Sequence, residues 1–182
     1  MLKRLFDFFV SFFVIIILSW IIVLIWIISG IDTKSSGLFF QKRVGQKANL
    51  FTIFKFITIN PKTRKISIIG EFLRKSKLDE LPQLFNVLLG EMSFVGPRPD
   101  VPGYYDKLEG ENSKILQLKP GLTCESSLKY YNEEVLLANQ NNPLHYNDTV
   151  IFPDKVQMNL EYYYNRSFYG DLKIIWKTIY RK

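Results

Sequence analysis

From Phe8 to Ile31 the chain has no charged side chain, and its apolar residues follow one another without the polar gaps of a surface helix. At the helical rise per residue this run would extend about 36 Å, enough to cross a hydrocarbon core of roughly 30 Å. A cleaved signal peptide fits less well. The run is too long, and bulky Trp26, Ile27 and Ile28 stand where small residues should precede a cut. Two seatings stay open. A spanning helix puts the N-terminus outside, and a re-entrant helix returns both ends to the cytosol. Lys3 and Arg4 at one end and Lys34, Lys42 and Arg43 at the other favour two cytosolic flanks. Against this, Ser19 is the only polar residue near the middle and no proline is present. A break in lipid frees backbone groups that something must satisfy, which favours spanning.

Beyond Ser35-Ser36-Gly37, a turn, the pattern changes to short elements. Leu38 to Val44 and Asn49 to Phe56 read as two strands of a hairpin around Gly45-Gln46-Lys47-Ala48. Ile69, Phe72 and Leu73 have helical spacing within Ile68 to Leu78. Leu81, Leu84, Phe85, Leu88 and Leu89 recur at i, i+3, i+4, i+7 and i+8, one face of a second helix. Pro82 belongs in a first turn, so that helix should begin within a residue or two of Asp79 and Glu80, and Gly90 should stop it. Asn139 to Asp148 reads as a polar loop and Pro153 to Tyr164 as a helix. Asp171 is placed to cap a last helix bearing Leu172, Ile175, Trp176 and Ile179, with Lys173, Lys177, Arg181 and Lys182 around the stripe. Such a helix suits either the bilayer interface or the domain core. The expected architecture is α+β and predominantly helical. A membrane-anchoring helix occupies residues 1–34 and one domain, with a C-terminal interfacial helix, residues 35–182.

Two adjacent acids at a helix start favour the ionised form by about 0.3–1 kcal/mol each. That suits a carboxylate meant to attack phosphorus or hold a divalent cation. Ser76-x-x-Asp79 also fits a capping box, in which the acid bonds back to the helix start. In Met92-Ser93-Phe94-Val95-Gly96-Pro97-Arg98-Pro99 two prolines fix the backbone around one arginine, and the glycine permits close approach to a ligand. A guanidinium held this way can grip phosphate with two parallel bonds. The same stretch also reads as a plain proline-rich turn with an exposed arginine.

Charge narrows the partners. The formal net charge is +7, and nearly all of the excess lies after residue 37. It suits an anionic membrane surface or a nucleotide diphosphate. No dense basic run or nucleic-acid signature is present. One cysteine, Cys124, excludes an internal disulfide, and one histidine, His145, excludes any metal site needing two. Both read as structurally ordinary residues.

Lys3-Arg4-Leu5-Phe6-Asp7, Phe39-Phe40-Gln41-Lys42-Arg43-Val44-Gly45, Phe51-Thr52-Ile53-Phe54-Lys55-Phe56, Leu78-Asp79-Glu80-Leu81-Pro82-Gln83-Leu84, Met92 to Pro99 and Lys119-Pro120-Gly121 occur in that order. This set resembles the bacterial sugar transferases, the small monotopic phosphoglycosyl transferases, over essentially the whole chain. The resemblance implies transfer of a sugar-1-phosphate from a UDP-sugar to undecaprenyl phosphate, with release of UMP. It implies Asp79 as nucleophile, Glu80 as its assistant, and Mg²⁺ held through Asp79 and the diphosphate. It also implies phosphate contacts from Arg98, Arg74 and Lys55, and a re-entrant helix on the cytoplasmic face of the bacterial inner membrane. The chain departs from the family pattern in three places. Ser19-Trp20 stands for Ser-Pro, Lys55-Phe56-Ile57-Thr58-Ile59 for Lys-Phe-Arg-Thr-Met, and Cys124-Glu125-Ser126-Ser127 for Gly-x-Ala-Gln. A membrane-anchored basic adaptor and an inactive family member are the competing expectations. The adaptor gives no reason for an acid pair at a helix start followed by a rigid Pro-Arg-Pro, and the departures above allow the inactive member.

Overall fold

Helix α1, Leu2–Thr33, runs unbroken through Ser19 and Trp20. Its length exceeds the apolar run because the flanking segments are helical too. The computed structural model describes residues 2–180; Arg181 and Lys182, expected beside the last helix, lie outside the described residues. Ser19 does not interrupt α1: its Oγ donates to the Ile16 carbonyl at 2.9 Å, inside the helix. Most of the apolar surface of α1 is bare, including Phe8, Phe12, Ile16, Trp20, Val23 and Ile27. The few buried positions, Asp7, Ser11, Ile25, Ser29 and Thr33, include four polar residues. A helix that is greasy outside and polar where it touches protein is the inverse of a soluble one.

The described chain divides into two compact units, residues 2–43 with 50–92 and residues 44–49 with 93–180. In the first, α1 meets the hairpin of β1 (Leu38–Val44) and β2 (Leu50–Phe56), then α2 (Ile68–Lys75) and α3 (Gln83–Leu89). Ile25, Phe56 and Leu73 form its core, with Ile21, Ile22, Leu38, Leu78 and Leu81 packed around them. Ser29 Oγ donates to the Gly37 carbonyl at 3.2 Å, and Trp26 Nε1 to the Ser36 carbonyl at 2.7 Å. These bonds fix the exit from α1. Ser67 caps α2 by accepting from the Gly70 N–H.

Several local expectations are corrected here. Ser76 makes no capping box. Its Oγ donates back to the Phe72 and Leu73 carbonyls, so it closes the end of α2. The helix expected to start at the acids starts later: Leu78–Glu80 is a single 3₁₀ turn, and α3 begins at Gln83 after Pro82. Gly90, at φ 86°, ends it as expected. The buried positions of α3 are Gln83, Leu84, Asn86 and Val87, while Phe85 and Leu89 are exposed. A two-turn helix pressed from two sides does not keep a single apolar stripe.

In the second unit β3 (Ser93–Val95) and β4 (Gly121–Thr123) pair in parallel, Ser93 opposite Gly121 and Val95 opposite Thr123. Helices α4 (Glu125–Lys129), α5 (Glu133–Ala138), α6 (Pro143–Tyr146), α7 (Phe152–Asn165) and α8 (Phe168–Ile179) follow. Val44, Tyr105, Ile115 and Val156 form the core. The stretch expected as an Asn-rich loop is largely helical, because Asn142 caps α6 and a π turn, Asn147–Ile151, continues into α7. His145 lies exposed in that segment. Asp171 does not cap α8. Ser167 does, accepting from the Gly170 N–H, and Asp171 is buried and accepts from Tyr162 Oη at 2.6 Å. Buried Cys124 caps α4 through its sulfur.

Candidate active site

The acids sit where the backbone is most constrained. Lys77 takes a left-handed conformation, φ 58°, between the end of α2 and the 3₁₀ turn of Asp79 and Glu80. A lysine there is strained, as only glycine adopts that region freely. Pro82 then fixes the entry to α3. The opposite wall is β2. Asn86, fully buried in α3, accepts from the Phe54 N–H at 3.2 Å and donates to the Thr52 carbonyl at 2.8 Å and to Glu91 Oε2 at 2.7 Å. One amide side chain thus stitches α3 to the strand that carries Lys55.

Lys55 Nζ lies 2.9 Å from Glu80 Oε1, with side-chain exposures of 19% and 13%. Asp79 has no such tie: its Oδ1 is buried and makes no hydrogen bond, the only such carboxylate oxygen among the described residues. Burial pushes the Asp79 carboxyl above the ordinary aspartate range, and the Glu80 charge pushes it the same way. The charges of Lys55, Lys77 and Arg74 pull it back. The structure therefore brings together four of the five expected site residues, Asp79, Glu80, Lys55 and Arg74, and adds Lys77. An orphaned carboxylate oxygen among three cations is an incomplete site. It can receive an electrophilic phosphorus or a hard cation.

Arg98 belongs to the second unit. It lies half-buried between Pro97 and Pro99, in the wall of a cleft of about 20 Å³ shared with Gly45, Tyr105 and Leu116. That space suits a water and is too small for a phosphate. Gly96 serves a different purpose from the ligand approach expected of it. A Cβ there would lie 2.2 Å from the Lys119 carbonyl oxygen, so the residue lets two backbone segments cross.

Two contributors to the site were not read as such from the sequence. Asn86 was hidden in an apolar run, where a lone amide among Leu84, Val87 and Leu88 is itself the signal of a buried polar contact. Arg4 looked like a membrane flank. Its Nη1 and Nη2 donate to the Val87 and Leu88 carbonyls at 2.7 and 2.8 Å.

No three His, Cys, Asp or Glu side chains cluster as a ready-made metal cage among the described residues. The donor set still fits magnesium. That ion commonly takes one or two carboxylates and completes its shell with substrate phosphates and water. Asp79 Oδ1 is a hard oxygen with nothing bound to it.

The pattern of the bacterial sugar transferases matches residues 1–182. The uncharacterized sugar transferase EpsL of Bacillus subtilis is 30% identical, over 98% of this chain and 85% of its own length. The undecaprenyl-phosphate galactose phosphotransferase of Salmonella typhimurium is 30% identical over 97% of this chain, which spans only 39% of that longer protein. The UDP-glucose:undecaprenyl-phosphate glucose-1-phosphate transferase of Klebsiella pneumoniae is 30% identical over 98% of this chain and 39% of its own length. The chain belongs to the bacterial sugar transferase family.

Proposed function

We propose that this protein transfers a sugar-1-phosphate from a UDP-sugar to undecaprenyl phosphate, with Asp79 as the nucleophile. The observation that carries the reading is the buried Asp79 Oδ1, without a hydrogen bond, beside the Lys55–Glu80 pair. The names of the Salmonella and Klebsiella relatives supply the acceptor and the class of donor.

Asp79 Oδ1 attacks the phosphorus that bears the sugar. The bond from that phosphorus to the bridging oxygen breaks, and UMP leaves with the electron pair. A phosphate oxygen of undecaprenyl phosphate then attacks the same phosphorus, and the acyl phosphate bond breaks to restore the carboxylate. Two displacements let a soluble donor and a lipid acceptor use one aspartate in turn. Lys55 keeps Glu80 aligned beside the nucleophile. Arg74 and Lys77 bear on Asp79 and offset the charge of an incoming diphosphate. Mg²⁺, held by Asp79 and the diphosphate, would supply further charge neutralisation.

The seating follows from α1. Its first turn bonds to α3 through Arg4, and its last turns bond to the β1 entry through Ser29 and Trp26. Both ends are tied to one unit, which supports a re-entrant seating over a spanning one. In this reading the protein sits in one leaflet, on the cytoplasmic face of the bacterial inner membrane. In the second unit the exposed Trp176 and Ile179 of α8, with Tyr180 just after it, suit a bilayer interface.

The test uses the full chain in nanodiscs with Mg²⁺, undecaprenyl phosphate and a panel of UDP-sugars. UMP release is expected with at least one donor, and donor alone should add a phospho-sugar mass to Asp79. Asp79→Asn should lose both. Wild-type turnover by that variant, or no release with any donor, overturns the reading.

A further inference from the structure

Helix α3 ends beside the start of α1. It has no basic residue in its own last turn, so the cation at its negative end comes from elsewhere. Arg4 supplies it, donating to the Val87 and Leu88 carbonyls at 2.7 and 2.8 Å. The Phe8 ring lies 5.8 Å from the guanidinium carbon. Gly90 leaves the guanidinium its space, since a Cβ there would come within 2.9 Å of Nη2. Asp7 and Ser11, on the same side of α1, are 2% and 0% exposed. The first turns of α1 are thus docked into the unit rather than merely flanking a membrane segment.

The other end of α3 leads directly from the Asp79–Glu80 turn through Pro82. Between the two ends Asn86 ties the helix to β2, and Lys55 on β2 ties back to Glu80. A shift of α3 moves the acids relative to Lys55. We infer that Arg4 is a positioning residue, coupling the seating of α1 in the bilayer to the geometry of the Asp79–Glu80 turn. This rests on the reading of Asp79 as nucleophile. A group misplaced by about 1 Å can lose on the order of a hundredfold in rate.

The test uses full-length Arg4→Gln, Arg4→Lys and Arg4→Ala in nanodiscs, with active sites counted by the trapped phospho-sugar adduct. Arg4→Gln should lower kcat per active site about tenfold to a hundredfold, with KM for the donor nearly unchanged. Arg4→Lys should recover part of that loss. Guanidinium chloride at tens of millimolar should raise the kcat of Arg4→Ala, and the same concentration of sodium chloride should not. Hydrogen exchange without substrate should quicken in Arg4→Gln over residues 78–82 as well as 86–92. Unchanged kcat per active site overturns the inference, as does quickened exchange confined to residues 86–92. If wild type releases no UMP the functional reading fails, and the exchange result alone then decides whether Arg4 governs the turn.

Discussion

Lys55 Nζ is 2.9 Å from Glu80 Oε1, while the neighbouring Asp79 keeps a buried oxygen without a hydrogen bond. Two adjacent acids are thereby made different. One is held as part of the frame, and the other is left reactive. Divergent environments for paired carboxylates are how one site assigns two roles.

That asymmetry should appear in the pH dependence of turnover. As the proposed nucleophile Asp79 would have to be ionised, so kcat/KM should fall as pH drops through its folded pKa. Burial and then the Glu80 charge raise that pKa, while Lys55, Lys77 and Arg74 lower it. The acid limb should therefore lie above the ordinary aspartate range. Glu80→Gln removes a raising charge and should move the limb to lower pH. Lys77→Met removes a lowering one and should move it to higher pH. Rate profiles of the three proteins check both signs, and either shift in the reverse direction contradicts the assignment.

The same carboxylate should weaken the fold. A group whose pKa is raised on folding adds stability below its unfolded pKa, and that stability is lost as pH rises through the folded value. Wild type thus carries the cost of a desolvated charge at neutral pH. Asp79→Asn, although inactive, should melt at a higher temperature than wild type at pH 7, and the gap should close as pH approaches the ordinary aspartate range. Thermal unfolding at several pH values in one detergent is sufficient. A lower melting temperature for the variant at pH 7 would mean that the three cations outweigh the desolvation.

Much of the first unit was legible because its signals are local. An uncharged apolar run announces α1, two short runs around Gly45-Gln46-Lys47-Ala48 announce β1 and β2 to within a residue, and Gly90 marks the end of α3. The failures are all at positions whose partners are distant or ambiguous. Ser76 has helix on either side, and only the fold shows that it closes α2. The burial of Asn86 depends on Thr52 and Phe54, which no periodicity within α3 reveals. Arg4 satisfies a rule for membrane flanks and equally caps a helix more than eighty residues away. Asn139–Asp148 is rich in loop formers, yet Asn142 acts there as a cap and starts a helix.

Asn86 gives the sharpest stability prediction. Its side chain satisfies a strand N–H, a strand carbonyl and the Glu91 carboxylate, all from a fully buried position. Leucine has similar bulk and offers none of these bonds, so Asn86→Leu leaves three polar partners unmatched. Each costs about 1–3 kcal/mol when left unsatisfied, less whatever water recovers. A loss of about 3 kcal/mol would lower the melting temperature by roughly 6–12 °C in a chain of this size. Because α3 would loosen from β2, kcat should fall as well. Asn86→Asp, which keeps the acceptor for the Phe54 N–H, should retain part of the stability only when protonated, at acid pH.

Beside the parallel pair β3 and β4, the backbone at Gly96 and Gly121 approaches closely. A Cβ on Gly121 would lie 2.2 Å from the Gly96 nitrogen and 2.5 Å from its carbonyl oxygen, and one on Gly96 would lie 2.2 Å from the Lys119 carbonyl oxygen. Every obstructing atom is backbone, so no side chain can swing away. The strands would have to separate and break the bonds Gly96 N–H to Thr123 O, 3.0 Å, and Gly121 N–H to Pro97 O, 2.9 Å. Gly121→Ala should therefore cost more than about 4 kcal/mol, the range reserved for gross structural conflict, and lower the melting temperature by about 10 °C or more. Gly103 is the control. Its φ of 109° is unfavourable for alanine, but nothing lies within 4 Å of the added Cβ. Gly103→Ala should cost only about 1–2 kcal/mol of backbone strain. Equal losses in the two variants would show that the close approach of two backbone segments at Gly121 is relieved at little cost.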